Sequence, residues 1–289
     1  MNSKELKSKI ESLYLKSLGL KDPHMIVVLD AIKSIIGLNL DNINTGLLNY
    51  FIANLEKQQY YDLSITKDYK DIPEVMSMVD LEQSLLDKDS ERSFENIYYL
   101  SRVSDGLQIM EFLLEFSLKY CSDSYKIIWH MLRMQKFLNN NYMLESLNKS
   151  ISLILSESFI STVETNDDIL IWTDVLSGEF KKIDELLLYY TIYKSDLIRS
   201  DALKRLIVSR VFLDYNKSSL TDRNIISVKK NQIDKGRIWI SDYINSDEGS
   251  IYIANFGILV FLNNIRSCLM LSDNELEKQY FWSYLNKRL

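Results

Sequence analysis

The chain almost lacks the two residues that most readily turn or break a backbone. Eight glycines and two prolines are spread over 289 positions, where an average protein of any length devotes roughly 12% to the pair. Turn-dense all-β architectures, collagen-like chains and Gly/Pro-rich disordered chains are excluded on that ground. Phosphate-cradling glycine loops have almost nothing to be built from. Hydrophobic residues make up 46% of the chain, enough for a sizeable core and too many for a disordered chain. The expected fold class is all-α.

Helical periodicity supports this. Leu100, Val103, Leu107, Met110 and Leu114 follow a 3-4-3-4 spacing and would share one stripe. Leu197, Ile198, Leu203, Leu206, Ile207 and Val211 repeat the pattern. Start signals recur: Asp22 before Pro23, Asp71-Ile72-Pro73-Glu74, Ser122, Thr165-Asn166-Asp167-Asp168, and the capping-box spacing of Ser272-Asp273-Asn274-Glu275. The predicted helices are 3–18, 23–37, 41–58, 73–87, 93–120, 123–139, 142–160, 166–177, 179–194, 197–214, 221–231, 235–245, 250–269 and 273–288. Short connections between about 123 and 214 call for antiparallel neighbours. The expectation is therefore a multi-helix bundle or a short HEAT-like solenoid of helical pairs, the latter on spacing alone because no residue signature repeats. A small β-hairpin is allowed at 226–240, turning on Asp234-Lys235-Gly236. Gln59 to Ile72 has no clean period, which suggests an N-terminal helical unit over 1–65 and a main helical domain over 66–289.

The net charge is −6, so a protein that coats nucleic acid along its whole length is disfavoured. Cys121 and Cys268 are the two cysteines. They offer no CxxC and a poor disulfide framework, which points to a reducing compartment. The first residues alternate charge with apolar side chains and lack a signal-peptide core. The longest apolar stretch, Ile251 to Leu262, is too short for the roughly 20 residues of a membrane span. A cytoplasmic protein without membrane contact is the expectation.

The search for chemistry returns little. P-loop, GxGxxG, GxSxG and HExxH patterns are missing. His24 and His130 are the two histidines, and neither follows a glutamate by three positions as a di-iron bundle requires. His130 with Cys121 would lie on opposite sides of one helix, so both histidines are read as structural. Glu111 with Glu115 share a helix face, and Asp167, Asp168 and Asp174 form the most enzyme-like group. The simpler reading is solvated carboxylates and helix capping. No catalytic residue, metal site or cofactor is assigned.

Charge segregation is the clearest non-random feature. Asp71 to Glu95 holds eight acids and two bases, whereas Arg199 to Arg237 holds ten bases and four acids. Arg199, Lys204, Arg205, Arg210, Lys229, Lys230 and Arg237 are the candidate binding residues for phosphate or an acidic partner. Phe212, Tyr215 and Trp239 among them would suit stacking on single-stranded nucleic acid. Tyr189, Tyr190, Tyr193, Phe281, Trp282 and Tyr284 are candidate interface aromatics. The sequence favours a non-enzymatic helical interaction module: an adaptor, an inhibitor or immunity-type partner, or a subunit of a larger complex. Its partner is expected to be another protein. A helical-cavity enzyme using paired carboxylates and a nucleic-acid-binding module are the alternatives.

Overall fold

A computed structural model describes residues 1–60, 77–165, 169–180, 182–216, 228–246, 249 and 255–289. The fold is all-α. The helices are α1 (Ser3–Leu18), α2 (His24–Ile36), α3 (Thr45–Leu55), α4 (Met78–Leu86), α5 (Ser90–Val103), α6 (Gly106–Tyr120), α7 (Ser124–Leu138), α8 (Met143–Ser156), α9 (Trp172–Ser177), α10 (Ile183–Lys194), α11 (Asp201–Asp214), α12 (Lys230–Lys235), α13 (Ile238–Ile244), α14 (Phe256–Leu271) and α15 (Glu275–Arg288). Extended pairing among the described residues amounts to a two-residue antiparallel ladder of Glu179–Phe180 with Tyr215–Asn216, and an isolated bridge between Leu20 and Tyr60.

The chain packs as two units, each discontinuous in sequence. One gathers Met1–Lys7, Val28–Glu56 and Thr165–Leu289, and the other Ser8–Val27 and Lys57–Glu164. Residues 1–65 are thus shared between the two units. In the second unit, α6 packs on α7 and α8, and α5 on α4 and α8. Its core holds Tyr14, Leu85, Ile97, Met110, Trp129 and Ile151. Tyr14 and Ser146 hydroxyls meet at 2.7 Å, and Gln135 Nε2 donates to Ser146 Oγ at 2.6 Å. Lys149 is buried and donates to the Leu20 carbonyl at 2.7 Å. Burial pulls its ammonium below the usual lysine range, and the charge of Asp22 partly restores it. In the first unit, α10 packs on α14 and α11, and α15 on α14 and α9.

Several boundaries differ from expectation for identifiable reasons. The predicted helix 93–120 is two helices. Asp105 leaves the helical path and caps α6, accepting from the Leu107 N–H at 3.0 Å. The stripe drawn through Val103 therefore does not exist, and Val103 is 65% exposed. The hairpin allowed at 226–240 is not formed: Lys230–Lys235 and Ile238–Ile244 are helices. Gly236 does take the positive φ, 51°, that a hairpin loop would need, but there it ends α12, its N–H bonding the Gln232 carbonyl at 2.9 Å. The helix predicted over 166–177 starts at Trp172. Ser272 is not the cap of the last helix. Asn274 is, accepting from Leu276 N–H at 2.9 Å and Glu277 N–H at 3.3 Å. The start signal at 71–74 lies outside the described residues, and α4 is opened by a capping box of Ser77 and Asp80.

The least foreseeable cap is on α7. Asp123 at its N-cap makes no side-chain cap. Instead the Glu157 carboxylate accepts from the N–H groups of Ser122 at 2.8 Å, Asp123 at 3.1 Å and Ser124 at 2.5 Å, and from the Ser122 hydroxyl at 2.9 Å. A carboxylate at the positive end of the helix dipole satisfies donors that would otherwise be orphaned. Replacement Glu157→Ala is expected to cost about 1–2 kcal/mol of stability, and Asp123→Ala far less. Urea denaturation followed by circular dichroism measures both.

Candidate functional site

Arg199, Lys204, Arg205 and Arg210 belong to α11 and its approach, and Lys229, Lys230 and Arg237 to α12 and the turn after it. On α11 the bases do not form one stripe: Lys204 and Arg205 are about 100° apart, and Arg210 is opposite the midpoint region at roughly 140° from Arg205. Arg199 and Arg205 are exposed, while Lys204 and Arg210 are half-buried.

The α12–α13 knuckle is organised differently, with an anchored side and an outer side. On the anchored side, Gln232 is buried and exchanges reciprocal amide hydrogen bonds with Asn286, at 2.8 and 3.2 Å. Trp239 is buried, stacked on Tyr243 with centroids 5.0 Å apart and meeting Trp282 edge-on at 5.8 Å. Lys235 pairs with Asp242 at 2.5 Å and ties the two helices together. On the outer side, Ile233 is 61% and Ile238 50% exposed. Lys229, Lys230 and Arg237 beside them are exposed as well. Two exposed aliphatic side chains and three exposed bases thus fall between Lys229 and Ile238 on a short, anchored helical turn.

The aromatic candidates are placed elsewhere than expected. Tyr189, Tyr190, Phe281, Trp282 and Tyr284 are buried, and Tyr193 is half-buried. They build the core of the first unit and present no open interface. Tyr190 lies edge-on to Trp172 and to Phe281, each with centroids 4.9 Å apart. Tyr284 donates to the Leu176 carbonyl at 2.5 Å. The physical reason is amphipathicity: aromatic rings are large apolar surfaces first, and their hydroxyls find partners inside. Trp239 is likewise unavailable to a nucleobase. Tyr190 donates to Glu277 Oε2 at 2.6 Å, and the Ser272 hydroxyl donates to the same oxygen at 2.6 Å. This buried carboxylate was not visible in the sequence pattern, since Glu277 reads as an ordinary first-turn acid.

Of the enzyme-like carboxylates, Asp167 and Asp168 lie outside the described residues. Asp174 is exposed in the first turn of α9. Glu111 is buried and Glu115 half-buried on α6. Lys119, one turn further, is raised above the usual lysine range, chiefly by Tyr120 and with contributions from Glu82 and Glu115. Cys121 is buried at the end of α6 and His130 is buried within α7. His24 is exposed at the start of α2, its backbone N–H donating to Asp22 Oδ1 at 3.0 Å. Among the described residues no group of three His, Cys, Asp or Glu is placed to hold a metal ion. A shallow cleft of about 10 Å³ is walled by Asn39, Asn42, Asn44 and Asn245 over Ile36 and Ile244. None of the side chains lining it is ionisable, and Asn44 is engaged in capping α3 and in donating to Asn245 at 2.6 Å.

No helix among the described residues is long and apolar enough to cross a membrane. No protein-family model matches the chain, and no curated protein or solved structure matches it.

The Tyr190–Glu277 pair sets a pH dependence. Burial, and then the bond to Glu277, push the Tyr190 phenol well above its ordinary 10.0. Above pH 10.0 the unfolded chain releases this proton while the folded one keeps it. Stability therefore falls as pH rises past that value. Tyr190→Phe is expected to be less stable at neutral pH and to lose less stability between about pH 9 and about pH 11 than the parent. Urea midpoints at the two pH values test this.

Proposed function

We propose that this chain is a non-enzymatic helical protein-interaction module, an adaptor, inhibitor or complex subunit, and that the α12–α13 knuckle is its docking surface. The observation that carries this reading is the pairing of exposed Ile233 and Ile238 with exposed Lys229, Lys230 and Arg237. Exposed aliphatic side chains gain free energy when covered, about 25 cal/mol per Å² of apolar surface removed from water. Surrounding cations select a partner face that is acidic at its rim. The anchoring by Gln232, Trp239 and Lys235 fixes the knuckle in advance and limits the ordering entropy of binding.

Several polar side chains among the described residues are taken up in structural work. Glu277 accepts from Tyr190 and Ser272, Glu157 caps α7, Lys149 holds the Leu20 carbonyl, and Asn44 caps α3. A protein partner also suits the knuckle better than nucleic acid does, because the exposed apolar groups are aliphatic and the neighbouring indole is buried.

The test is affinity capture from the native lysate with the full chain, compared with an Ile233→Asp/Ile238→Asp variant whose circular dichroism matches the parent. The parent is expected to retain a protein with an acidic contact face that crosslinks to residues 229–238, and the variant to lose it at least tenfold. Equal retention by both baits, or retention abolished by nuclease, would overturn the reading.

A further inference from the structure

We infer that the knuckle's partner is a second copy of this chain, docked through the α4–α5 turn. The inference rests on the preceding reading that the knuckle is a docking surface, and it commits that surface to one occupant.

The argument is complementarity between two exposed faces of the same molecule type. The knuckle from Lys229 to Ile238 holds four bases and one acid, with Lys235 paired to Asp242, together with the exposed Ile233 and Ile238. The α4–α5 turn carries the opposite sign. Asp87, Asp89 and Glu91 are exposed around it, and Leu86 and Val79 are 37% and 70% exposed on α4. Two bases, Lys88 and Arg92, are exposed in the same stretch. Lys88 is engaged with its own unit: Nζ donates to the Glu157 carbonyl at 2.5 Å and lies 4.6 Å from the centre of the Phe159 ring. Each face therefore combines aliphatic surface with an excess of one charge, and the two excesses are opposite. A contact that uses different faces on the two copies is heterologous, so repeated association closes a ring or extends a chain. A contact built on exposed charges is sensitive to salt.

Charge exchange tests it on the full chain. Variant one carries Lys229→Glu and Lys230→Glu, and variant two carries Asp87→Lys and Glu91→Lys. Asp89 is left intact because it caps α5. Sedimentation at about 20 mM and about 0.5 M salt reads the weight-average mass. The parent is expected to rise with concentration above its 33.9 kDa monomer mass at low salt and to return to it at high salt. Each variant alone then presents like charges on both faces and stays monomeric. Mixed one to one, every knuckle meets a turn of opposite sign, and association returns. A parent that stays monomeric at low salt, a variant that associates alone as the parent does, or a mixture that stays monomeric would overturn the inference. A monomeric parent that still captures a protein through Ile233 and Ile238 removes self-association and leaves the docking reading intact. Loss of both removes both.

Discussion

Helix ends need partners, and this chain must supply them almost without glycine. Each helix leaves four N–H and four C=O groups unsatisfied, and many helices solve the C-terminal half with a glycine in the left-handed region. Here the left-handed positions fall to Lys88, Asn139, Asn140 and Tyr142 as well as to Gly236. After α4, Lys88 takes the glycine role while its N–H bonds Leu85 and the Asp89 N–H bonds Ser84, at 3.1 and 2.9 Å. A left-handed non-glycine residue costs about 1–2 kcal/mol, and the Lys88 ammonium offsets this through the Glu157 carbonyl and the Phe159 ring. At the N-terminal ends, Asn44, Ser77, Asp89, Asp105, Asn255 and Asn274 accept backbone N–H groups.

That constraint bears directly on function. Asparagines, serines and acids make up much of the chain's polar inventory, and among the described residues several of them end helices. Glu157 shows the logic in full. It sits just past α8 and completes α7, joining two helix ends through one carboxylate. Glu277 does the same inside the core of its unit, where a phenol and a hydroxyl satisfy a charge that would otherwise be costly to bury.

Much of the fold was legible because low glycine content and a 3.6-residue period leave few alternatives to a stack of helices. Local chemistry was legible where the signal was local: Asp22 before Pro23 does precede α2. What was not legible depends on contacts distant in sequence or on competition between two local rules. Leu100 to Leu114 keeps an unbroken apolar period, yet the capping preference of Asp105 prevails over it. Ile226 to Ile240 alternates like a hairpin and includes a glycine that does take positive φ, but Gln232 and Trp239 gain more by burying on one side of a helical turn. The candidate site divided along the same line. Lys229, Lys230 and Arg237 were picked out by charge alone and are exposed. The tyrosines and tryptophans were picked out by their frequency at interfaces and are core, because residue type does not reveal which side of a helix faces inward when neighbouring positions are also apolar.

Charge segregation carries a further consequence for a protein of net charge −6. A uniformly acidic surface would repel its own copies and other acidic proteins alike. Concentrating bases on one anchored turn creates a local exception to that repulsion, in which short-range attraction operates within a Debye length while the remaining surface keeps long-range repulsion. Approach is then unfavourable in most orientations and favourable in a few, which is how charge placement yields specificity beyond raw affinity. On the proposed docking reading, exposed Ile233 and Ile238 would supply contact energy that salt does not screen. Lys229, Lys230 and Arg237 would then decide which face is admitted, so removal of the isoleucines is expected to weaken every partner, whereas reversal of the bases is expected to change which partner is bound.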